Sequence, residues 1–142
     1  MARVGGFGFK YVELASTYGM EPEPFLALLA SNKLKAVSGH FSYDMYRTNA
    51  HEVAHQAEAL GLKYAGCAWI SHKDEFDEQE AREAAKVFNN AGRILAEHGI
   101  QFFYHTHGYE FRPHGNGTLF DLLMKETDPK LVKYQMDVFW VV

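Results

Sequence analysis

Apolar positions along this chain fall into short runs separated by longer stretches in which they recur every three or four residues. The run 10–15, Lys-Tyr-Val-Glu-Leu-Ala, follows a Gly-Phe-Gly-Phe turn and reads as a strand. A helix is predicted from near Pro22, where proline suits the first turn, burying Phe25, Leu28 and Leu29. Residues 34–37 form a second apolar run, ending in Ser38-Gly39-His40-Phe41. A second helix is predicted to start after Asn49, with Glu52 placed for a capping box, Val53, Ala57 and Leu60 as its apolar stripe and Gly61 as its stop. Residues 63–70 read as a third strand. The longest helix, 77–98, shows Ala84, Phe88, Ala91 and Leu95 at helical spacing before Gly99. A fourth strand is predicted over 100–105, a short helix carrying Leu119, Leu122 and Leu123 over 118–125, and a fifth strand over 132–142.

The resulting order, βαβαβαβαβ, implies parallel strands joined by crossover helices, either in a doubly wound sheet or in a (β/α)₈ barrel. Two features favour the barrel. No glycine-rich phosphate loop follows the first strand, and nearly every strand ends in polar or ionisable groups, where barrel active sites are built. Five strands do not close an eight-stranded barrel, and the sequence ends inside an apolar run, Trp140-Val141-Val142. The expectation is an incomplete (β/α)₈ TIM barrel, with residues 1–142 as one partial domain.

Composition narrows the function. Apolar residues make up 47% and charged residues 23%, ordinary values for a globular chain. Aromatics reach 15%, which fits either core filling or a pocket for sugars and other small molecules. A net charge of −4 without a Lys/Arg cluster argues against nucleic acid as a partner. The one cysteine, Cys67, excludes an internal disulfide framework and reads as a buried, inert thiol. No apolar run approaches the roughly 20 residues of a membrane span, and residues 1–6 are not a signal peptide. The expected location is cytoplasmic, an export signal preceding residue 1 aside. Nucleophile elbows, His-Glu-x-x-His, Walker and Cys-x-x-Cys motifs are absent from the sequence.

The densest polar cluster is Tyr104-His105-Thr106-His107-Gly108-Tyr109-Glu110-Phe111. Strand alternation points His105 and His107 the same way, with Glu110 just beyond, and two imidazoles and a carboxylate so placed can bind a divalent cation. A single histidine here would read as a hydrogen-bonded polar residue at a barrel mouth, but two on one face with a carboxylate nearby favour metal or substrate contact. Asp137 falls in the next apolar run, where a carboxylate is costly unless paired or metal-bound, although it would also serve to cap a loop or pair with a lysine. Glu13, His40, Trp69 and His72 end the first three strands and would complete a rim suited to a polyhydroxylated ligand. A structural ion pair is the other reading of Glu13. His51, His55, His98 and His114 read as surface or helix-end residues.

The segments 9–15, Ser38-Gly39-His40, 61–64, 104–111 and Met136-Asp137-Val138-Phe139-Trp140 together resemble the sugar phosphate isomerase/epimerase group of the xylose isomerase-like barrels. The resemblance spans essentially the whole chain and sets it between the first helix and the sixth strand, without the first strand and the last two. It implies isomerisation or epimerisation of a sugar through a metal-stabilised enediolate, with Mn²⁺, Mg²⁺ or a similar ion as cofactor. On this resemblance Asp137 matches a metal ligand, with His105 standing where a glutamate is common, or Glu110 reaching back. His40, with Glu13, Trp69 and Trp140, would contact substrate, and His40, His107 or Glu110 would move the proton. The remaining ligands, a histidine and a glutamate from two later strands, lie outside this sequence. Two rival readings follow: a keto-sugar dehydratase or lyase of the same superfamily, and a non-catalytic partial barrel that binds sugar or assembles as a homo-oligomer through its open edges. A related endonuclease is disfavoured by the acidic charge.

Overall fold

The computed structural model describes residues 1–141. A short helix α1 (Ala2–Gly6) leads into strand β1 (Tyr11–Leu14), followed by α2 (Pro22–Ser31), β2 (Lys35–His40), α3 (Tyr43–Ala59), β3 (Tyr64–Cys67), α4 (Glu78–Glu97) and β4 (Gln101–His105). A 3₁₀ turn (Tyr109–Phe111) and a small antiparallel pair, β5 (Pro113–His114) and β6 (Gly117–Thr118), precede α5 (Leu119–Glu126) and β7 (Val132–Gln135). Strands β1, β2, β3, β4 and β7 form one sheet in that order, every pair parallel.

The sheet is strongly curved. In a flat sheet four strand spacings would hold β1 and β7 roughly 19 Å apart. Instead, Gln135 Nε2 on β7 donates to Glu13 Oε2 on β1 at 3.2 Å. The two outer strands therefore face each other across a trough, which is the inside of a barrel wall.

Alternation along each strand divides the residues between the two faces. Phe102 and Tyr104 point outward and pack on Phe88 of α4, each with ring centroids 5.0 Å away. The core lies in this layer, where Val53, Ala57, Ala84, Phe88, Ala91, Leu95 and Leu123 are all fully buried. Small side chains on α3 and α4 let those helices approach each other and the sheet closely. Glu13, Ser38, His40, Phe103, His105 and Gln135 take the inner face, as their mutual contacts show. A Cβ on Gly66 would sit 2.3 Å from the Phe103 ring, so glycine there makes room for the aromatic floor of the trough.

The helix starts follow local chemistry. Pro22 opens α2 at its first turn. Asp77 and Glu80 form a reciprocal capping box at α4, and Thr118 and Asp121 do the same at α5. Helix α3 begins at Tyr43, seven residues before the start predicted after Asn49, because Ser42 Oγ accepts from Met45 N–H and caps an earlier start. Asn49 is nevertheless a break: its backbone is non-helical, and its Oδ1 accepts from Glu52 N–H at 3.3 Å, restarting the helix. The Glu52 side chain bonds Gln56 rather than closing a capping box.

Other expectations need correction. The third strand stops at Cys67 instead of 70, and the fifth, expected over 132–142, stops at Gln135, with Val142 lying outside the described residues. Helix α1 and the β5–β6 pair were not expected from the hydrophobic pattern. Leu28 is 39% exposed, while Phe25 and Leu29 are buried as expected. Along the two open edges, Phe9, Tyr11, Met136, Val138 and Phe139 stand largely exposed.

Helix α4 seats against the segment leading into β7 through Gly92, where an added Cβ would lie 2.7 Å from the Leu131 carbonyl oxygen. Backbone there has little freedom to yield. Gly92→Ala is expected to destabilise the protein by about 1–3 kcal/mol, measured as a lower urea midpoint with an unchanged slope.

Candidate functional site

Four strands deliver polar side chains to the carboxyl end of the trough. Glu13 on β1 accepts from Ser38 Oγ at 2.6 Å and pairs with His40 Nε2 at 2.8 Å, both on β2. From β7, Gln135 adds its amide N–H, so one carboxylate gathers three donors. The His40 hydrogen bond, with help from Ser38 and Gln135 and against the cost of burial, holds Glu13 down at a pKa of about 2. Glu13 is thus ionised near neutral pH, which places a proton on His40 Nε2. The other nitrogen, Nδ1, is buried without a partner.

His105, ending β4, faces this pair. Its ring lies 5.5 Å from that of His40, nearly perpendicular, and 5.1 Å from that of His107. His105 Nδ1 contacts Gln135 Oε1 at 2.7 Å, and Nε2 lies 3.5 Å from Asp137 Oδ2. Gln135 therefore bridges Glu13 and His105. Sequence reading passed over it because a neutral amide belongs to no motif; its position two residues before Asp137, on the same strand face as Lys133, was the available signal.

Asp137 is not in a strand. It lies in the turn after β7, where Oδ1 accepts from Phe139 N–H at 2.9 Å and leaves Oδ2 toward His105. The cost of a carboxylate inside an apolar strand is thereby avoided. Trp140 follows, its N–H donating to the Asp137 carbonyl and its ring 5.2 Å from His107.

Glu110 departs most from expectation. It is fully buried, and its carboxyl group accepts the His107 backbone N–H and the Tyr104 hydroxyl. The 3₁₀ turn at Tyr109–Phe111 rotates it inward, so it secures the loop from beneath and does not reach the mouth as ligand or proton carrier. Tyr104 in turn contacts the Tyr109 hydroxyl at 2.7 Å, which accepts from Ile70 N–H at 2.9 Å. Burial pushes both phenols well above their ordinary pKa, so they remain protonated donors.

An aromatic wall flanks the histidines. Trp69 is half exposed, stacks on His72 at 4.9 Å and meets His107 edge-on at 5.6 Å. Burial lowers the His107 pKa, favouring the neutral imidazole, and its Nδ1 is a second buried atom without a partner. Nearby, a groove of about 610 Å³ between the starts of α3 and α4 shares only Ile70, His72 and neighbouring loop residues with this wall and contains none of the converging histidines.

No protein-family model matches the sequence, and no curated protein matches it either. Solved structures do. A sugar phosphate isomerase/epimerase from Parabacteroides distasonis superposes with a TM-score of 0.81 at 21% identity, over 98% of this chain and 58% of its own. An AP endonuclease of family 2 from Brucella melitensis gives 0.73 at 20%, over 97% of this chain and 61% of that one. A xylose isomerase-like TIM barrel protein from Mycobacterium smegmatis, in complex with magnesium, gives 0.71 at 14%, over 94% and 53%. The fold is part of a TIM barrel. This chain spans less than two thirds of the length of each of these structures.

In such a barrel, active sites occupy the carboxyl ends of the strands, where Glu13, His40, His105 and Gln135 stand. Whether the partial barrel's residues fit a divalent cation can be judged from distances. Metal–ligand bonds of about 2.1 Å put adjacent ligands roughly 3.0–3.4 Å apart, close to the 3.5 Å between His105 Nε2 and Asp137 Oδ2. These two fit one side of a coordination shell. Among the described residues, no third ligating side chain at the mouth falls within the same reach. No helix among them is long and apolar enough to cross a membrane.

The depressed Glu13 pKa links the partial barrel's stability to pH. A group with a folded pKa below its unfolded value stabilises above the unfolded value, and that contribution is lost as pH falls through the folded one. The window here runs from about 4.5 down to about 2. Solvent screening at this half-exposed carboxylate limits the effect to about 1–2 kcal/mol. Urea unfolding at pH 7, 4 and 3 is expected to show Glu13→Gln losing that much less stability on acidification than the unsubstituted protein.

Proposed function

We propose that this chain carries part of the active site of a sugar isomerase or epimerase that moves a proton on the carbon next to a carbonyl. The observation that carries this reading is the facing of the hydrogen-bonded pair Glu13–His40 and the His105–Asp137 pair, whose Nε2 and Oδ2 lie 3.5 Å apart, across one strand-end mouth with imidazole rings 5.5 Å apart. A site of this kind offers fixed charge, oriented donors and aromatic surface within the span of a small sugar. The likeness of the fold to a sugar phosphate isomerase/epimerase supports the substrate class.

His105 and Asp137 would hold a divalent cation of the Mn²⁺ or Mg²⁺ type, which when bound polarises substrate oxygens. The magnesium reported with the Mycobacterium smegmatis barrel supports this assignment. Glu13 and His40 would orient hydroxyl groups, and Trp69 and Trp140 would line the sugar's C–H faces. His107 is the proposed proton carrier: it is kept neutral by burial, and Glu110 fixes its backbone from below. Glu110 acts through that position alone. Dehydration or C–O cleavage of a keto-sugar would use the same proton abstraction, with loss of a neighbouring hydroxyl in place of reprotonation.

The test is solvent exchange. Incubation of the chain with a panel of ketoses and Mn²⁺ in D₂O is expected to place deuterium beside the carbonyl, read by NMR. Both His107→Gln and Asp137→Asn should slow exchange by about 10²–10⁴-fold with folding intact. Exchange that is absent, or indifferent to both substitutions, would overturn the catalytic reading.

The exposed apolar side chains Phe9 and Tyr11 at the start of β1 and Met136, Val138 and Phe139 just after β7 favour a second reading, in which an open-edged barrel binds sugar without turnover and pairs with another copy of itself. Light scattering coupled to size exclusion is then expected to report twice the 16.2 kDa chain mass, and a monomer at about 100 μM would sink it.

A further inference from the structure

Away from the mouth, the described residues bring three ligating side chains together at one other place. His55 and Glu58 lie near the C-terminal end of α3, and His98 is the C-cap of α4. His98 Nδ1 is 3.2 Å from Glu58 Oε2, and the His55 and His98 rings lie 5.3 Å apart at 85°. One ligating atom from each of the three falls within 4.8 Å of the other two. Crossover helices run antiparallel to the strands they connect, so this cluster sits at the opposite end of the barrel wall from His105 and Asp137.

We propose that His55, Glu58 and His98 form a zinc-type metal site that ties the end of α3 to the end of α4. Two imidazoles and one carboxylate are a donor set suited to Zn²⁺ and its first-row neighbours, with water completing the tetrahedron. Bonds of about 2.0–2.1 Å at tetrahedral angles separate ligand atoms by roughly 3.3–3.4 Å, and Glu58 and His98 already stand at that spacing. His55 needs to close by about 1.5 Å at most, which rotation of an exposed side chain supplies.

A second feature points the same way. Both helices end here, and although backbone N–H groups of Gly61, Leu62, Gly99 and Ile100 cap several of the last carbonyls, the negative end of each helix dipole faces this point. Neither last turn contains a lysine or arginine to offset it. A dication at this point offsets the dipoles of both helix ends at once.

Zinc titration of the full chain, prepared without a polyhistidine tag, tests the assignment by calorimetry, with Co²⁺ absorption reporting tetrahedral coordination. The expected result is one equivalent lost, or weakened at least about tenfold, in the double variant His55→Gln/His98→Gln, while His105→Gln retains it. Saturating zinc should also raise the Tm of the unsubstituted protein but not of the double variant. Circular dichroism of the zinc-free proteins checks that the variants fold. Zinc binding of unchanged stoichiometry and affinity in the double variant, or no binding by the unsubstituted chain below about 1 mM, overturns the proposal.

Discussion

The Glu13 carboxylate receives donors from Ser38 and His40 on the neighbouring strand and from Gln135 on the far edge of the sheet. The curved sheet brings its two edges close enough for this one carboxylate to tie them together at the mouth. Hydrogen bonds to a charged acceptor are worth roughly 1.5–3 kcal/mol each when shielded and less when exposed, so the cluster is strong enough to fix side chains. Three of the four strand-end groups at the mouth, His40, Gln135 and through it His105, take their orientation directly or indirectly from this one acid.

The apolar layer makes that geometry affordable to the chain. Buried alanines along α3 and α4 bring the helices close to the sheet, and Phe88 receives Phe102 and Tyr104 from its outer face. With the outer face fully packed, the inner face is free to carry charge. Phe103 is the exception, filling the floor opposite Gly66 and meeting the His40 ring edge-on at 5.4 Å.

Local signals in the sequence located most elements, because alternation and caps are written in adjacent residues. The stripe Ala84, Phe88, Ala91 and Leu95 and the stop at Gly99 specified α4 almost to its ends. The start of α3 was missed because two caps compete there: Ser42 begins the helix, and Asn49 merely breaks and restarts it. The site was legible in its residue types but not in its directions. Nothing in Tyr104–Phe111 distinguishes an outward Glu110 from one turned beneath the loop, since that depends on Tyr104 waiting as a donor in the core. Likewise, Gln135 gains importance only when the sheet curls far enough to carry it to Glu13, a relation between residues 122 positions apart.

The buried chain of hydrogen bonds from Glu110 through Tyr104 and Tyr109 to Ile70 has a mechanical consequence. It couples the loop bearing His107 to the loop bearing Trp69, which would otherwise fluctuate independently at the ends of two strands. The imidazole and the indole are thus anchored to one buried hydrogen-bonded frame. A ligand entering the mouth meets a wall whose shape is set before contact, so little ordering is left for binding to accomplish.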